Sequence, residues 1–188
     1  MDKLVFDIET KNTFADVGGE TFIKNLNASV VGVYSYDKDA YFCFEESEFG
    51  QLGEMFQRAA LLIGFSINRF DIPVLAKYFK FNLKAIANVD ILEEIEKPLG
   101  RRVGLNDLAM ANVGAGKTRH SLEAITLYRD GMMKELKDYC LNDVKITKDV
   151  YDLAVSQGYL WIPQRNTPQM IKLEIDLKRE IVPQPSLF

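Results

Sequence analysis

Apolar and polar positions along this chain follow two periods, and the switches between them mark out the elements. Leu4-Val5-Phe6-Asp7-Ile8-Glu9 is an apolar run broken at every second position near its end, which predicts a buried strand. Residues 29–36 and 40–44 predict two more strands, with Asp37-Lys38-Asp39 as the hairpin turn between them. A helix over 46–59, a strand over 61–67, a helix over 72–79 and a short strand near 88–91 follow. Helices over 105–111 and 121–129 lead into a long one over 132–157. Further on, Ile171, Leu173, Ile175 and Leu177 alternate with Lys172, Glu174, Asp176 and Lys178, the pattern of a half-buried strand. No internal repeat, low-complexity tract or linker interrupts the series.

Three features of this pattern place carboxylates where apolar side chains belong. Asp7 and Glu9 are two residues apart on a strand and therefore point to one face. Two negative charges on a buried strand are costly unless something positive offsets them, and a divalent cation does so most strongly. An exposed edge strand with an acidic polar face accounts for the same pair. Asp71 follows an apolar strand and opens a helix with Pro73 just inside it, a place where ordinary capping also explains an aspartate. In the long helix, Leu136, Cys140, Val144, Thr147, Val150, Tyr151 and Ala154 recur at three- and four-residue steps, and Asp143 falls inside that buried stripe. Tyr139 lies one turn earlier on the same face, whereas Lys134, Lys137, Lys145 and Lys148 lie on the other. An inward-facing acid needs a partner, and a metal site is the most economical one.

In this order and context, Asp7-x-Glu9, Asn68-x-Phe70-Asp71 and Tyr139-x-x-x-Asp143 resemble the three exonuclease motifs of the DEDD 3′–5′ exonucleases. The histidine subtype of that family carries a histidine five residues before the last aspartate; this chain has Asp138 there and Tyr139 four before. It therefore resembles the tyrosine subtype (DEDDy), similar to the proofreading domains of family B DNA polymerases, from Leu4 to about Ala154. The resemblance implies an α/β, ribonuclease H-like fold with a mixed central sheet flanked by helices, a single domain over 1–182. It implies two divalent cations, Mg²⁺ or Mn²⁺, on Asp7, Glu9, Asp71 and Asp143, with Asp7 bridging and Tyr139 orienting the attacking water. Asn68 and Phe70 would then shape the pocket for the last nucleotides, and Phe14 would stack on a base. The implied activity is a 3′–5′ exonuclease releasing nucleoside 5′-monophosphates from single-stranded DNA, in repair or replication. RNA stays open as substrate, because the metal core does not read the 2′-hydroxyl. A non-catalytic nucleic-acid-binding module is the third reading, and the intact set of acids speaks against it.

Ala111-Asn112-Val113-Gly114-Ala115-Gly116-Lys117-Thr118 satisfies a loose phosphate-loop pattern. Such a loop needs a buried strand before it, and residues 105–110 have a helical pattern instead. A loop lining a nucleic-acid cleft is the preferred reading, since residues 97–120 hold Lys97, Arg101, Arg102, Lys117 and Arg119 against Asp107 alone. Lys117, Arg119 and His120, the single histidine, are candidate phosphate contacts; a solvated loop explains the same charges. With 188 residues and a net charge of −4, the chain suits one domain and argues against a broad basic duplex-binding face.

No apolar run is long enough for a bilayer and no signal peptide is evident, so a cytoplasmic protein without membrane contact is expected, with Cys43 and Cys140 as buried free thiols. Residues 183–188 form a separate tail. In it, Gln184-Pro185-Ser186-Leu187-Phe188 resembles the peptide by which bacterial replication and repair proteins bind the sliding clamp, with Gln184, Leu187 and Phe188 as anchors. Folding of Leu187 and Phe188 back onto the domain is the competing expectation.

Overall fold

Alternation in β1 (Asp2–Thr10) sends apolar side chains to both faces of the sheet, because this strand is buried on both sides. The computed structural model describes residues 2–116 and 121–179, so the candidate residues Lys117, Arg119, His120, Gln184, Leu187 and Phe188 lie outside the described residues. Strands β2 (Ala28–Ser35), β3 (Ala40–Glu45), β4 (Ala59–Gly64) and β5 (Asn88–Asp90) join β1 in a five-stranded sheet of order β3-β2-β1-β4-β5. The β1–β2 and β2–β3 pairs are antiparallel, and the β1–β4 and β4–β5 pairs are parallel. This is the mixed sheet expected. The parallel pairs require crossovers, and the helices between them cover the sheet.

Leu4, Phe6 and Ile8 point to one face and pack with Leu52 and Phe56 of α1 (Phe49–Gln57) and Ile72 and Leu75 of α2 (Asp71–Leu75). Val5 points to the other, where it shares a core with Leu108 of α4 (Leu105–Val113) and Val144 and Val150 of α6 (Met133–Gln157). Each such fully buried side chain contributes about 1.5–3 kcal/mol. Asp7 and Glu9 have the parity of Val5 and so face α6. Gly32 of β2 is paired with Asp7 and sets how closely that helix approaches. A Cβ on Gly32 would lie 2.9 Å from Val144 Cγ2 and 3.0 Å from Cys140 Sγ.

Several boundaries differ from the sequence expectation, each for a local reason. The helix expected over 46–59 starts at Phe49, after a 3₁₀ turn closed by reciprocal Glu45 and Glu48 capping. The strand expected to reach residue 67 ends at Gly64, where a Cβ would lie 2.2 Å from Ile67 Cγ2 and 2.9 Å from the Phe6 carbonyl oxygen. The chain doubles back there, with Ser66 in the left-handed region at φ 67°. The helix expected over 72–79 is the short α2 followed by a 3₁₀ turn, Ala76–Tyr78.

Helix α3 (Ile91–Leu99), capped by Asp90, and strand β6 (Tyr159–Pro163) were not anticipated. Strand β7 (Met170–Glu174) pairs with β6 as a separate hairpin, and the alternation continues past it through the buried Ile175 and Leu177. Cys43 and Cys140 are free thiols, but only Cys140 is fully buried. Among the described residues no helix is long and apolar enough to cross a membrane.

Candidate metal centre and cleft

The parallel strands end early and leave one edge of β1 open. Strand β4 pairs with β1 only as far as Val5, so beyond that point the backbone of β1 needs another partner on this side. Asp71 supplies it. Its carboxylate, 2 % exposed, accepts a hydrogen bond of 3.1 Å from the Ile8 N–H, between Asp7 and Glu9. A cleft of about 810 Å³ opens here, at the carboxyl ends of the parallel strands, and Asp7, Glu9, Asp71 and Asp143 all line it.

Helix α6 brings in the third acid of a tight cluster. Asp143 is 1 % exposed on the buried stripe, as its position predicts, while Lys134, Lys145 and Lys148 pair with Asp138, Asp149 and Asp152 one turn on. Oxygen atoms of Asp7, Glu9 and Asp143 lie within 4.8 Å of one another. Three carboxylates this close repel strongly in a poorly solvated place, and an oxygen-coordinating cation relieves that repulsion. Their field extends to the neighbouring thiol. Cys140, whose Sγ donates to the Asp7 carbonyl at 3.5 Å, has its pKa raised, first by a hydrogen bond with Cys43, then by burial, then by the charges of Asp7 and Glu9.

The other candidates separate into those in the cleft and those away from it. Phe14 and Phe70 both line it and meet edge to face, with ring centroids 5.9 Å apart. Asn68 is not among the lining residues. Its amide donates to Asn88 Oδ1 (3.1 Å) and Glu93 Oε2 (2.9 Å), and its N–H to Asp90 Oδ2 (2.9 Å), so it fastens the turn that carries Phe70 and Asp71. Tyr139 lies on the same stripe as Asp143, packed at 2 % exposure with Ala124 and Leu127 of α5 (Ser121–Arg129), beside the lining residue Ile125.

Of the basic run, Arg102 reaches the cleft, whereas Arg101 donates to the Pro163 carbonyl and Lys97 pairs with Glu94. The helix α4 stands where a phosphate loop needs a strand, and Ala115 packs against the α4–α6 core. Sequence reading missed Arg69, a lining residue inside the Asn68-Arg69-Phe70-Asp71 motif, and Glu96, which pairs with it. It also missed Asp90, whose carboxylate accepts from the N–H groups of Ser66 (2.8 Å), Asn68 (2.9 Å), Leu92 (3.1 Å) and Glu93 (3.3 Å). Burial holds the Asp90 carboxyl above its usual range.

Comparison with known proteins agrees with this architecture. The sequence profile of the RNase_H_2 family, within the RNase H superfamily, matches residues 4–155. Among solved structures, the family B DNA polymerase of the hyperthermophilic archaeon Pyrobaculum calidifontis superposes with a TM-score of 0.62 at 17 % identity, over 82 % of this chain and 24 % of that one. Exonuclease I of E. coli in its zinc-bound complex with single-stranded DNA superposes with a TM-score of 0.53 at 14 % identity, over 83 % of this chain and 40 % of that one. The same enzyme with a dT13 oligonucleotide gives 0.50, again at 14 % identity, 83 % of this chain and 40 % of that one. The chain thus spans a quarter to two-fifths of the length of these proteins. No curated protein sequence matches it.

Proposed function

The chain belongs to the RNase_H_2 family of the RNase H superfamily, and from that premise we propose that it is a metal-dependent 3′–5′ exonuclease that shortens single-stranded DNA. The observation that carries the reading is the triad of Asp7, Glu9 and Asp143, with carboxylate oxygens within 4.8 Å, on the floor of a cleft that Asp71 also lines. An all-oxygen donor set suits Mg²⁺ or Mn²⁺. In this reading Asp7, Glu9 and Asp143 would hold one cation, and Asp7 and Asp71 would help to hold a second. When bound, such cations supply a water activated at neutral pH and positive charge for the leaving 3′ oxygen.

The remaining work falls to side chains around the acids. Phe14 and Phe70 offer apolar faces for the terminal bases, and Ile125 keeps the cleft wall dry. Tyr139, one turn before Asp143, orients the attacking water through its hydroxyl. Asn68 acts on the substrate only through the turn it fastens. Lys117, Arg119 and His120 are assigned to phosphate contacts, and Gln184, Leu187 and Phe188 to a sliding clamp, on sequence alone; such tethering fits a role in DNA repair or replication.

A labelled-strand assay tests the proposal. With Mn²⁺, a 5′-labelled single-stranded DNA should shorten stepwise from its 3′ end and release nucleoside 5′-monophosphates, faster than matched duplex. Faster digestion of matched RNA would move the substrate to RNA, and an intact strand with every divalent cation would refute the nuclease reading.

A further inference from the structure

The cleft that holds the acids also contains a cationic element that the metal chemistry leaves unused. Asp7, Glu9, Glu20, Asp71 and Asp143 line it, and among the described residues Arg69 and Arg102 are the cationic side chains that do. Arg69 comes from the turn after β4, and Arg102 from the loop after α3, so two separate segments bring arginines to the cleft. Both converge on a single carboxylate. Glu96 Oε2 lies 2.7 Å from Arg69 Nη1 and 3.9 Å from Arg102 Nε. That oxygen is shielded from solvent, while the Arg69 and Arg102 side chains are 44 % and 55 % exposed. The shared oxygen is therefore shielded, while about half of each arginine side chain stays open to a ligand. One negative charge against two positive ones leaves a net positive spot in an otherwise acidic cleft.

We propose that Arg69 and Arg102, braced by Glu96, bind a backbone phosphate of the nucleic-acid strand away from the bond that is cut. This assignment rests on the nuclease reading above. Arg69 is anchored by Glu96 and its side chain stays 44 % exposed, so guanidinium N–H groups remain open to a phosphate. A guanidinium presents several N–H donors in a plane and matches two phosphate oxygens at once, which a lysine ammonium does not. The spot reads charge and not base, so it serves DNA and RNA alike. Glu96 is a positioning residue: its shielded side-chain oxygen, which a glutamine would retain, holds the two guanidinium groups side by side, while its charge offsets part of theirs.

The test is equilibrium binding of a 5′-fluorescent oligothymidylate 12-mer to the full chain by anisotropy, in calcium, with the probe checked on a gel for integrity. Arg69→Gln and Arg102→Gln should each weaken binding several-fold. Each should also flatten the dependence of log affinity on log salt by about 0.7, the amount expected when one single-strand phosphate contact is lost. Glu96→Gln keeps the shape and removes the counter-charge, and should bind at least as tightly as wild type with an undiminished slope. Arg102 is a loop residue, so its variant separates lost contact from misfolding, and melting curves check both. Wild-type slopes in both arginine variants would overturn the proposal, as would a Glu96→Gln protein of normal stability with a flattened slope. Failure here is distinct from failure of the nuclease reading. A chain that shortens strands but binds them without the arginines refutes only this inference. One that needs the arginines to bind but cuts nothing with any divalent cation refutes the nuclease reading.

Discussion

At the residue scale, the proposed metal site is a cluster of like charges. Asp7, Glu9 and Asp143 gather negative charge within 4.8 Å in a partly buried place, so removing one should relieve repulsion while it removes a ligand. Asp7→Ala and Asp143→Ala should each lower metal-dependent strand shortening by on the order of 10²–10³-fold or more, with melting temperature unchanged or raised in the metal-free protein. Wild-type digestion by purified Asp7→Ala would refute the assignment. Tyr139 is a milder case. Its ring packs under α5 with Ala124 and Leu127, so Tyr139→Phe keeps the packing and deletes only the hydroxyl. A loss of roughly 10- to 100-fold is expected, the size of a misplaced reactant, with Mn²⁺ affinity measured by calorimetry unchanged. Weakened Mn²⁺ binding in that variant would mean that the phenol acts on the metal site itself.

The elements explain why some of this was legible in the sequence and some was not. Asp7, Glu9 and Asp143 stood out because each interrupts an apolar pattern of known period, and a charge on a buried face is conspicuous. Helix α6 was readable for the same reason, since its stripe runs over 25 residues. The partners of Asn68 were not legible because the spacing of a motif says which residues are neighbours in the chain but not which way a turn faces its side chains. The turn here is fixed by Asp90, more than twenty residues away. Helix α3 escaped notice because it follows a three-residue strand directly, and Pro98 stands inside its last turn. Strand β6 starts immediately after the Gly158 that ends α6, and its burial alternates over only five residues.

Asp90 is thus the hidden organiser of the second motif, since one carboxylate caps α3 and holds the Ser66 turn. Asp90→Ala leaves those N–H groups without their acceptor and should cost about 2 kcal/mol in a denaturant titration. Because the same turn carries Phe70 and Asp71, activity should fall below the level that lost stability alone explains. Asp90 also sets a pH trend. Its folded-state pKa is raised by burial, so the folded chain binds that proton more readily than the unfolded one. Its contribution to stability therefore falls as pH rises through the raised value, and Asp90→Ala should lack that component.

At the scale of the whole molecule, the candidate active site is one end of the sheet, and residues 183–188 carry a separable expectation. If Gln184, Leu187 and Phe188 engage a sliding clamp, a chain ending at Val182 should digest short free oligonucleotides at the wild-type rate yet lose any stimulation by the clamp. Tethering raises local substrate concentration without altering the site. Equal clamp binding by the full and shortened chains in a titration would remove that assignment.

Gly32 acts like the stop on a caliper. It carries no functional group, yet its missing side chain sets the gap between the strand that bears Asp7 and the helix that bears Asp143, and therefore the width of the jaws. A methyl group there would meet Val144 at 2.9 Å, and α6 would have to back away at a cost of about 1–3 kcal/mol. A wider jaw still closes on a larger ion with adaptable coordination but not on Mg²⁺, which demands short, regular oxygen distances. Gly32→Ala should therefore lose activity with Mg²⁺ more than with Mn²⁺, and bind Ca²⁺ nearly as well as wild type. Equal losses with Mg²⁺ and Mn²⁺ in parallel titrations would show that the gap does not select the ion. On this view the choice of metal is decided in part by a residue that touches neither metal nor substrate.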